Sequence, residues 1–115
     1  MDKEVQRTCR FIEGNFSDSQ MTIKTICKTL VTGPAFLEAL FQKELGMRVE
    51  DFVKQVRINR CKKLVHNHPE MEAIEIAPLV GYADVNIFVK QFNECTNIPY
   101  DDYRHIILKN DTVVI

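Results

Sequence analysis

Apolar residues recur every three or four positions along most of the chain, which is the spacing of one face of an α-helix. The longest such stretch runs from Val49 to Asn67, and basic residues occupy its other faces. Glu50 and Asp51 stand in its first turn and basic residues near its end, the order that the helix dipole favours. Asn67 and Pro69 then provide a stop. The pattern therefore predicts one long helix over this stretch.

Six shorter stretches with the same periodicity predict further helices, and no stretch predicts a sheet. They cover about residues 2–16, 23–30, 34–45, 72–79, 85–95 and 100–108. Thr22 and Asp84 are suitable N-caps. Pro34 fits the first turn of a helix, and Gly46 and Asn97 suit left-handed C-caps. We therefore expect an all-α fold of about seven helices, in which residues 109–115 are either a frayed end or an apolar segment that docks elsewhere.

Two parts of the chain carry the same pattern. Residues 41–52 align with residues 92–103 at a constant difference of 51 in residue number, and upstream the difference becomes 50. The second copy therefore has one extra residue in its turn. Each copy consists of a short helix, a tight turn and a helix with a buried stripe, which is a helix-turn-helix. We expect two such subdomains, 1–48 and 68–115, joined by the linker helix 49–67.

Length and composition place the chain among soluble globular proteins. Its 115 residues suffice for one ordinary domain or two very small ones that share a helix, and 45% of them are hydrophobic and 27% charged. No apolar run approaches the roughly 18 residues of a membrane span, and the first residues lack the features of a signal peptide. We therefore expect a cytoplasmic protein without a membrane partner.

The candidate metal and catalytic residues have simpler explanations. The four cysteines lie far apart inside helical apolar patterns and form no CxxC pair, so buried reduced thiols are favoured over a disulfide or metal site. They are Cys9, Cys27, Cys61 and Cys95. The spacing of Cys61, His66 and His68 matches no standard zinc site. No phosphate-binding loop or nucleophile motif occurs, so we expect neither an enzyme nor a cofactor.

Charge is distributed unevenly along the chain. The net charge of −1 does not favour nucleic-acid binding over the whole chain, because nucleic-acid-binding domains are usually basic. Between Arg48 and Lys63, however, six basic residues stand against Glu50 and Asp51. Most of them are interpreted as a solvated helix face. For Arg57 two interpretations stay open, an ion pair within the domain and a phosphate contact.

These features together resemble the DNA-binding domain of the AraC/XylS family of transcriptional regulators, over roughly residues 3–108. In the first half the likeness rests on Cys27, Leu30, Leu37, Phe41, Gly46, Phe52 and Arg57. In the second half it rests on Ile76, Ala77, Val80, Gly81, Tyr82, Phe88, Phe92, Asp102, Tyr103 and Arg104. The chain departs from the family pattern where Arg48 replaces a usual serine before the linker helix. It also departs at Asn97 and Pro99-Tyr100, which replace the usual Gly and Thr-Pro.

The resemblance implies contacts with double-stranded DNA through both recognition helices. The positions that usually contact base edges in the family correspond to Ala35, Glu38, Ala39, Val85, Asn86, Val89 and Lys90. We expect a DNA contact from the neighbouring Gln42 as well. We expect phosphate contacts from Lys43, Arg48, Lys90 and Arg104. The resemblance also implies RNA polymerase as a partner and a regulatory domain in a longer parent chain.

The linker helix sets the expected mechanism. About 18 residues rise roughly 27 Å, close to the roughly 34 Å between major grooves one turn apart. One chain could then place both recognition helices in consecutive grooves. Asn86 can pair with adenine, Lys90 with guanine, and Glu38 can accept from the cytosine amino group. The remaining base-edge positions can only contact thymine methyl groups, so we expect modest base specificity and more dependence on DNA shape.

A second function remains open at this level. The chain could be a helix-turn-helix scaffold with weakened DNA affinity that serves as a protein-interaction module. The near-neutral net charge and the few polar groups on the first recognition helix favour this alternative. Under both functional hypotheses the inward-facing apolar residues of the recognition helices belong to the core. They are Leu37, Phe41, Phe88 and Phe92.

Overall fold

The computed structural model describes the backbone of residues 1–113 and the side chains of residues 1–109. This part of the chain forms seven α-helices and contains no strand, so the expected all-α class is confirmed. The helices are α1 Lys3–Asn15, α2 Ile23–Leu30, α3 Pro34–Leu45, α4 Val49–Asn67, α5 Ala73–Leu79, α6 Val85–Thr96 and α7 Tyr100–Val113. None of these helices has the length and apolar composition needed to span a membrane.

The helix ends agree closely with the sequence pattern. α2, α3 and α4 begin and end at the expected residues, and α1 and α5 begin just after their N-caps, Asp2 and Glu72. The largest difference is at α7, which continues to Val113 where the pattern predicts an end near Leu108. Residues 109–113 contain no glycine or proline, so nothing in them stops the helix. The remaining two residues of the predicted tail lie outside the described residues.

The chain divides into two compact units, Met1–Val56 and Arg57–Ile115. Each unit contains one helix-turn-helix, α2 and α3 in the first and α5 and α6 in the second. The boundary between the units falls inside α4. The finer division into two subdomains and a separate linker helix stays a prediction.

The core of the first unit is built from apolar side chains of all its helices. The buried residues are Val5, Ile12, Met21, Ile26, Cys27, Leu37, Phe41, Val49 and Val53. The Phe41 and Phe52 rings meet edge to face, with 6.0 Å between their centres. Thr8 is the buried polar residue in this unit, and its hydroxyl donates to the Glu4 carbonyl at 2.8 Å. The core therefore holds α3 by its inward side, and no buried polar side-chain atom among the described residues lacks a hydrogen-bond partner.

The core of the second unit is centred on aromatic rings. Phe88 lies 5.2 Å from Tyr100 and 5.4 Å from Tyr82, measured between ring centres, and Phe92 lies 5.3 Å from Tyr103. The Tyr82 hydroxyl donates to the Gln91 side-chain oxygen at 2.6 Å. Burial raises the pKa of Tyr82 to about 12, although the nearby Arg57 charge opposes the shift. The hydroxyls of Tyr82, Tyr100 and Tyr103 thus have hydrogen-bonding partners while the aromatic rings fill the core.

The backbone of the two helix-turn-helix turns repeats as the sequence does. Val31, with φ 56°, and Gly81, with φ 99°, both adopt the left-handed conformation. The next N–H in each copy, that of Thr32 or Tyr82, donates to the carbonyl five residues earlier, at 3.0 and 2.9 Å. α3 begins three residues after Val31, whereas α6 begins four residues after Gly81. The extra residue of the second turn is therefore confirmed.

The ends of the recognition helices also correspond. Gly46, with φ 65°, follows α3, and Asn97, with φ 60°, follows α6. Their N–H groups donate to the carbonyls of Gln42 and Asn93 at 3.1 and 2.8 Å. Both residues are thus the left-handed caps that the sequence predicts.

The expectation of four buried thiols is only partly met. Cys27 and Cys61 are buried, Cys9 is half-buried and Cys95 is exposed. All four are free. Cys95 has the spacing of the buried stripe but lies in the last turn of α6, two residues before the cap Asn97. Periodicity alone therefore did not decide its burial.

Replacing Val31 by glycine should raise the free energy of unfolding by about 1 kcal/mol. The left-handed conformation strains a β-branched residue, and Val31 is 89% exposed, so little packing is lost. Urea denaturation followed by circular dichroism measures the change. Thr32→Gly is the matched control and should destabilise the protein, because Thr32 does not have a positive φ. If Val31→Gly were less stable than the wild type, the prediction that Val31 is strained in the left-handed conformation would be wrong.

Candidate nucleic-acid interface

α3 buries one side and exposes the opposite side. Leu37 and Phe41 are fully buried, which fixes the rotation of the helix about its axis. Four of the predicted DNA-contacting residues are exposed on this helix, namely Ala35, Ala39, Gln42 and Lys43. They form a surface with one positive charge and one amide, so it offers few groups for reading base edges.

Glu38 differs from its neighbours on α3. Its side chain is half-buried, and its Oε1 accepts a hydrogen bond from the Val49 N–H at 2.8 Å. This carboxylate is therefore engaged at the start of α4. Arg48, the residue before α4, directs its guanidinium to the Glu50 carboxylate at 2.7 Å, in a pair that is exposed on both sides. Sequence reasoning missed the Glu38 contact, although the absence of a serine at position 48 was a signal that α4 needed another partner.

α6 exposes more polar groups than α3. Asn86 and Lys90 are exposed and lie one helical turn apart, while Phe88 fixes the inward side. The Asp84 carboxylate accepts from the Asn86 N–H at 2.8 Å and so caps the helix. Val89 is 39% exposed. Asn86 and Lys90 are thus placed on one side of α6, as the expected base contacts require.

Val85 and Arg104 line a groove in the second unit. The groove has a volume of about 370 Å³ and is formed by Glu72, Ala73, Ile74, Val85, Asp101 and Arg104. The Arg104 Nε contacts the Asp101 carboxylate at 3.0 Å, and its Nη1 donates to the Pro69 carbonyl at 3.4 Å. The Arg104 side chain is only 15% exposed. Its guanidinium is therefore already engaged within the unit, whereas a phosphate contact remains a prediction.

Arg57 also contacts its own unit. Its guanidinium carbon lies 5.4 Å from the centre of the Tyr82 ring, which is the range of a cation–π interaction. Of the two interpretations left open for Arg57, the structure thus contains a contact within the domain.

Two exposed apolar residues of the recognition helices escaped the sequence reasoning. Phe36 on α3 is 56% exposed and Ile87 on α6 is 49% exposed. Their numbers differ by 51, as the sequence repeat requires. The repeat alone could have indicated that the two residues occupy matching positions. By the same difference the exposed Lys43 corresponds to the exposed Glu94, so the two helices carry opposite charges there.

Metal binding finds no support in the described side chains. Among them no three His, Cys, Asp or Glu residues come together in a way that could hold a metal ion. His66 instead contacts the Tyr103 hydroxyl, with 3.3 Å between Nε2 and Oη.

Comparison with known proteins identifies similar sequences. A family model described as a helix-turn-helix domain matches residues 19–106. The arabinose operon regulatory protein of Escherichia coli K12 is 27% identical over 104 residues, which are 90% of this chain and 35% of that protein. The lactose operon transcription activator of Staphylococcus xylosus is 26% identical over 105 residues, which are 91% and 37%. The chain thus spans about a third of the length of these relatives.

Solved structures share the fold. The C-terminal domain of AraT, a response regulator from Geobacillus stearothermophilus, matches with a TM-score of 0.86 at 25% identity, over 91% of this chain and 86% of that one. The C-terminal domain of the two-component response regulator yesN from Fusobacterium nucleatum matches with a TM-score of 0.82 at 29% identity, over 90% and 99%.

Arg104→Ala should lower the free energy of unfolding by about 1–3 kcal/mol, because charged hydrogen bonds are lost from a mostly buried site. Arg48→Ala is the matched control. Its ion pair with Glu50 is exposed, so the change should stay below about 1 kcal/mol. Urea denaturation of both variants measures the difference. Equal and small changes would mean that the contacts of Arg104 with Asp101 and Pro69 do not stabilise the unit.

Proposed function

Because the chain belongs to the AraC/XylS family of helix-turn-helix transcriptional regulators, we propose that it binds double-stranded DNA by inserting α3 and α6 into successive major grooves. The observation that carries the proposal is the presence of two helix-turn-helix units with matching turns and caps, each exposing one side of its second helix. The family consists of regulators, so the expectation that the chain is not an enzyme is confirmed.

The length of α4 supports the use of both helices by one chain. α4 has 19 residues, and a helix of that length rises roughly 28 Å. Major grooves on one face of the double helix repeat every 34 Å or so. We therefore expect a bipartite and asymmetric DNA site that a single chain can occupy.

Base reading is assigned mainly to α6. Asn86 would pair with adenine and Lys90 with guanine, since both side chains are exposed on the outer side of the helix. On α3, Ala35 and Ala39 would contact thymine methyl groups, and the Gln42 amide would hydrogen-bond to a base edge. The half of the site bound by α3 is therefore expected to tolerate A·T-rich sequences and to be selected more by DNA shape.

Phosphate contacts would position the two helices. Lys43, Arg48 and Lys90 are exposed and can each reach a phosphate oxygen, and Arg104 would need to exchange or share its present partners. These contacts fix the position of the protein on the duplex and carry no sequence information.

Further partners and the location belong to the same proposal. A transcription regulator acts together with RNA polymerase, and the chain spans about a third of the length of its curated relatives. We therefore propose a longer parent protein with a regulatory domain, located in the cytoplasm with the DNA that it binds.

One observation favours the alternative function as a protein-interaction module. The outer sides of α3 and α6 expose the apolar Phe36 and Ile87, and α6 carries Glu94 where α3 carries Lys43. An acidic group facing the duplex would repel phosphates, whereas exposed apolar groups suit a protein partner.

Alanine variants of α6 test the base contacts. Asn86→Ala should lower the preference for the selected DNA over random duplex by roughly tenfold or more, and Lys90→Ala should do the same at a different base pair. Fluorescence anisotropy with labelled cognate duplex and unlabelled competitor measures both. The base-reading role of Lys90 is wrong if its loss weakens cognate and random DNA equally. That of Asn86 is wrong if sequence preference is unchanged.

A salt titration separates the two functions. With about four phosphate contacts, the logarithm of the DNA association constant should fall with the logarithm of salt concentration at a slope between about −3 and −4. The same anisotropy assay measures the slope, and Lys43→Ala should reduce its magnitude by about 1. If no duplex affinity is detected even at low salt, the interaction-module alternative is favoured.

A further inference from the structure

The first turn of α4 obtains a partner from outside its own helix. Arg48 precedes α4, and its carbonyl accepts the Phe52 N–H at 3.2 Å. An arginine side chain has only donors, so it cannot accept from the unpaired N–H groups that begin a helix. Instead the Glu38 Oε1, eleven residues earlier on α3, accepts the Val49 N–H at 2.8 Å.

The Glu38 carboxylate takes the place of water as the partner of this N–H. With Glu38 in place Val49 is 0% exposed, so in the folded chain its N–H depends on the carboxylate for an acceptor. A buried donor without an acceptor costs about as much as its full desolvation. The negative charge of Glu38 is also favourable at the positive end of the α4 dipole. Both effects hold the carboxylate against α4.

We infer that Glu38 is a positioning residue, which caps α4 and thereby fixes α3 against the start of that helix, and that it does not read a base. The inference rests on the proposed DNA-binding function. A carboxylate that turned towards a cytosine amino group would abandon the Val49 N–H and approach the phosphates of the duplex. Held against α4, it leaves the outer side of α3 to Ala35, Ala39 and Gln42. The half-site bound by α3 is then read without an acidic group.

Three variants test the capping contact in the whole chain. Glu38→Ala removes the acceptor and should lower the melting temperature by roughly 4 °C. Glu38→Gln keeps an acceptor oxygen and should remain closer to the wild type. In the double variant Glu38→Ala with Arg48→Ser, the serine hydroxyl can accept from the first turn of α4 and should restore part of the loss. Arg48→Ser alone is the control for any effect of the serine itself.

The amide of Val49 gives a local readout. Its hydrogen exchange, measured by nuclear magnetic resonance, should become faster in Glu38→Ala and stay near the wild-type rate in Glu38→Gln. Loss of stability elsewhere in the first unit would not affect this one amide selectively. An unchanged melting temperature and an unchanged Val49 exchange rate in Glu38→Ala would overturn the capping role.

Selection of bound sequences from a random duplex pool tests the second part of the inference. Glu38→Ala and Glu38→Gln should enrich the same bases as the wild type, with affinity reduced by a similar factor for selected and random duplex. Glutamine pairs with adenine, so a base reader at this position would change the preferred base in Glu38→Gln and lose its preference in Glu38→Ala. Either change would overturn the inference.

The outcomes also separate this inference from the proposed function. If the wild-type chain enriches no motif and binds no duplex at low salt, DNA binding fails as the function. The melting temperatures and the Val49 exchange rates still decide whether Glu38 caps α4.

Discussion

Burial of one stripe on each recognition helix is the constraint on which the rest of the structure depends. α3 cannot turn about its axis without exposing Leu37 and Phe41, and α6 cannot turn without exposing Phe88 and Phe92. Burying one such side chain is worth roughly 1.5–3 kcal/mol, more than most contacts at an exposed surface provide. The outward direction of the remaining side chains, and hence the surface available to DNA, follows from this packing.

The features that the sequence predicted well act over a few residues. Thr22 and Asp84 cap helices through amides two or three positions away, and Gly46 and Asn97 end helices through one left-handed residue. Such signals are readable because cause and effect are neighbours in the chain. Repetition of the pattern at a difference of 51 then made the domain plan recognisable, and the structure repeats it in its hydrogen bonds.

The contacts that the sequence did not predict join distant residues or oppose local preference. Glu38 meets Val49 eleven positions later, and Arg104 meets Pro69 thirty-five positions earlier. Neither pairing has a periodic signature. Val31 adopts a left-handed conformation that its side chain disfavours, because it occupies the position that Gly81 fills in the second copy. The surrounding turn decides the backbone conformation of such a residue, and the residue's own conformational propensity does not. The exposure of Asn86 and Lys90 on α6 thus followed from the helical pattern, whereas the partners of Glu38 and Arg104 did not, and the contacts of all these residues with DNA stay predictions.

The Glu38–Val49 contact has an evolutionary consequence. Because Glu38 on α3 supplies the acceptor for the Val49 N–H and Arg48 offers none, we expect substitutions at positions 38 and 48 to have interdependent effects on stability. A lineage that replaced Glu38 with a better base reader would lose stability at once, unless a hydroxyl had first returned at position 48. The order of the two substitutions would then decide whether the path is open, which is epistasis between specificity and folding at two positions on consecutive elements of the chain.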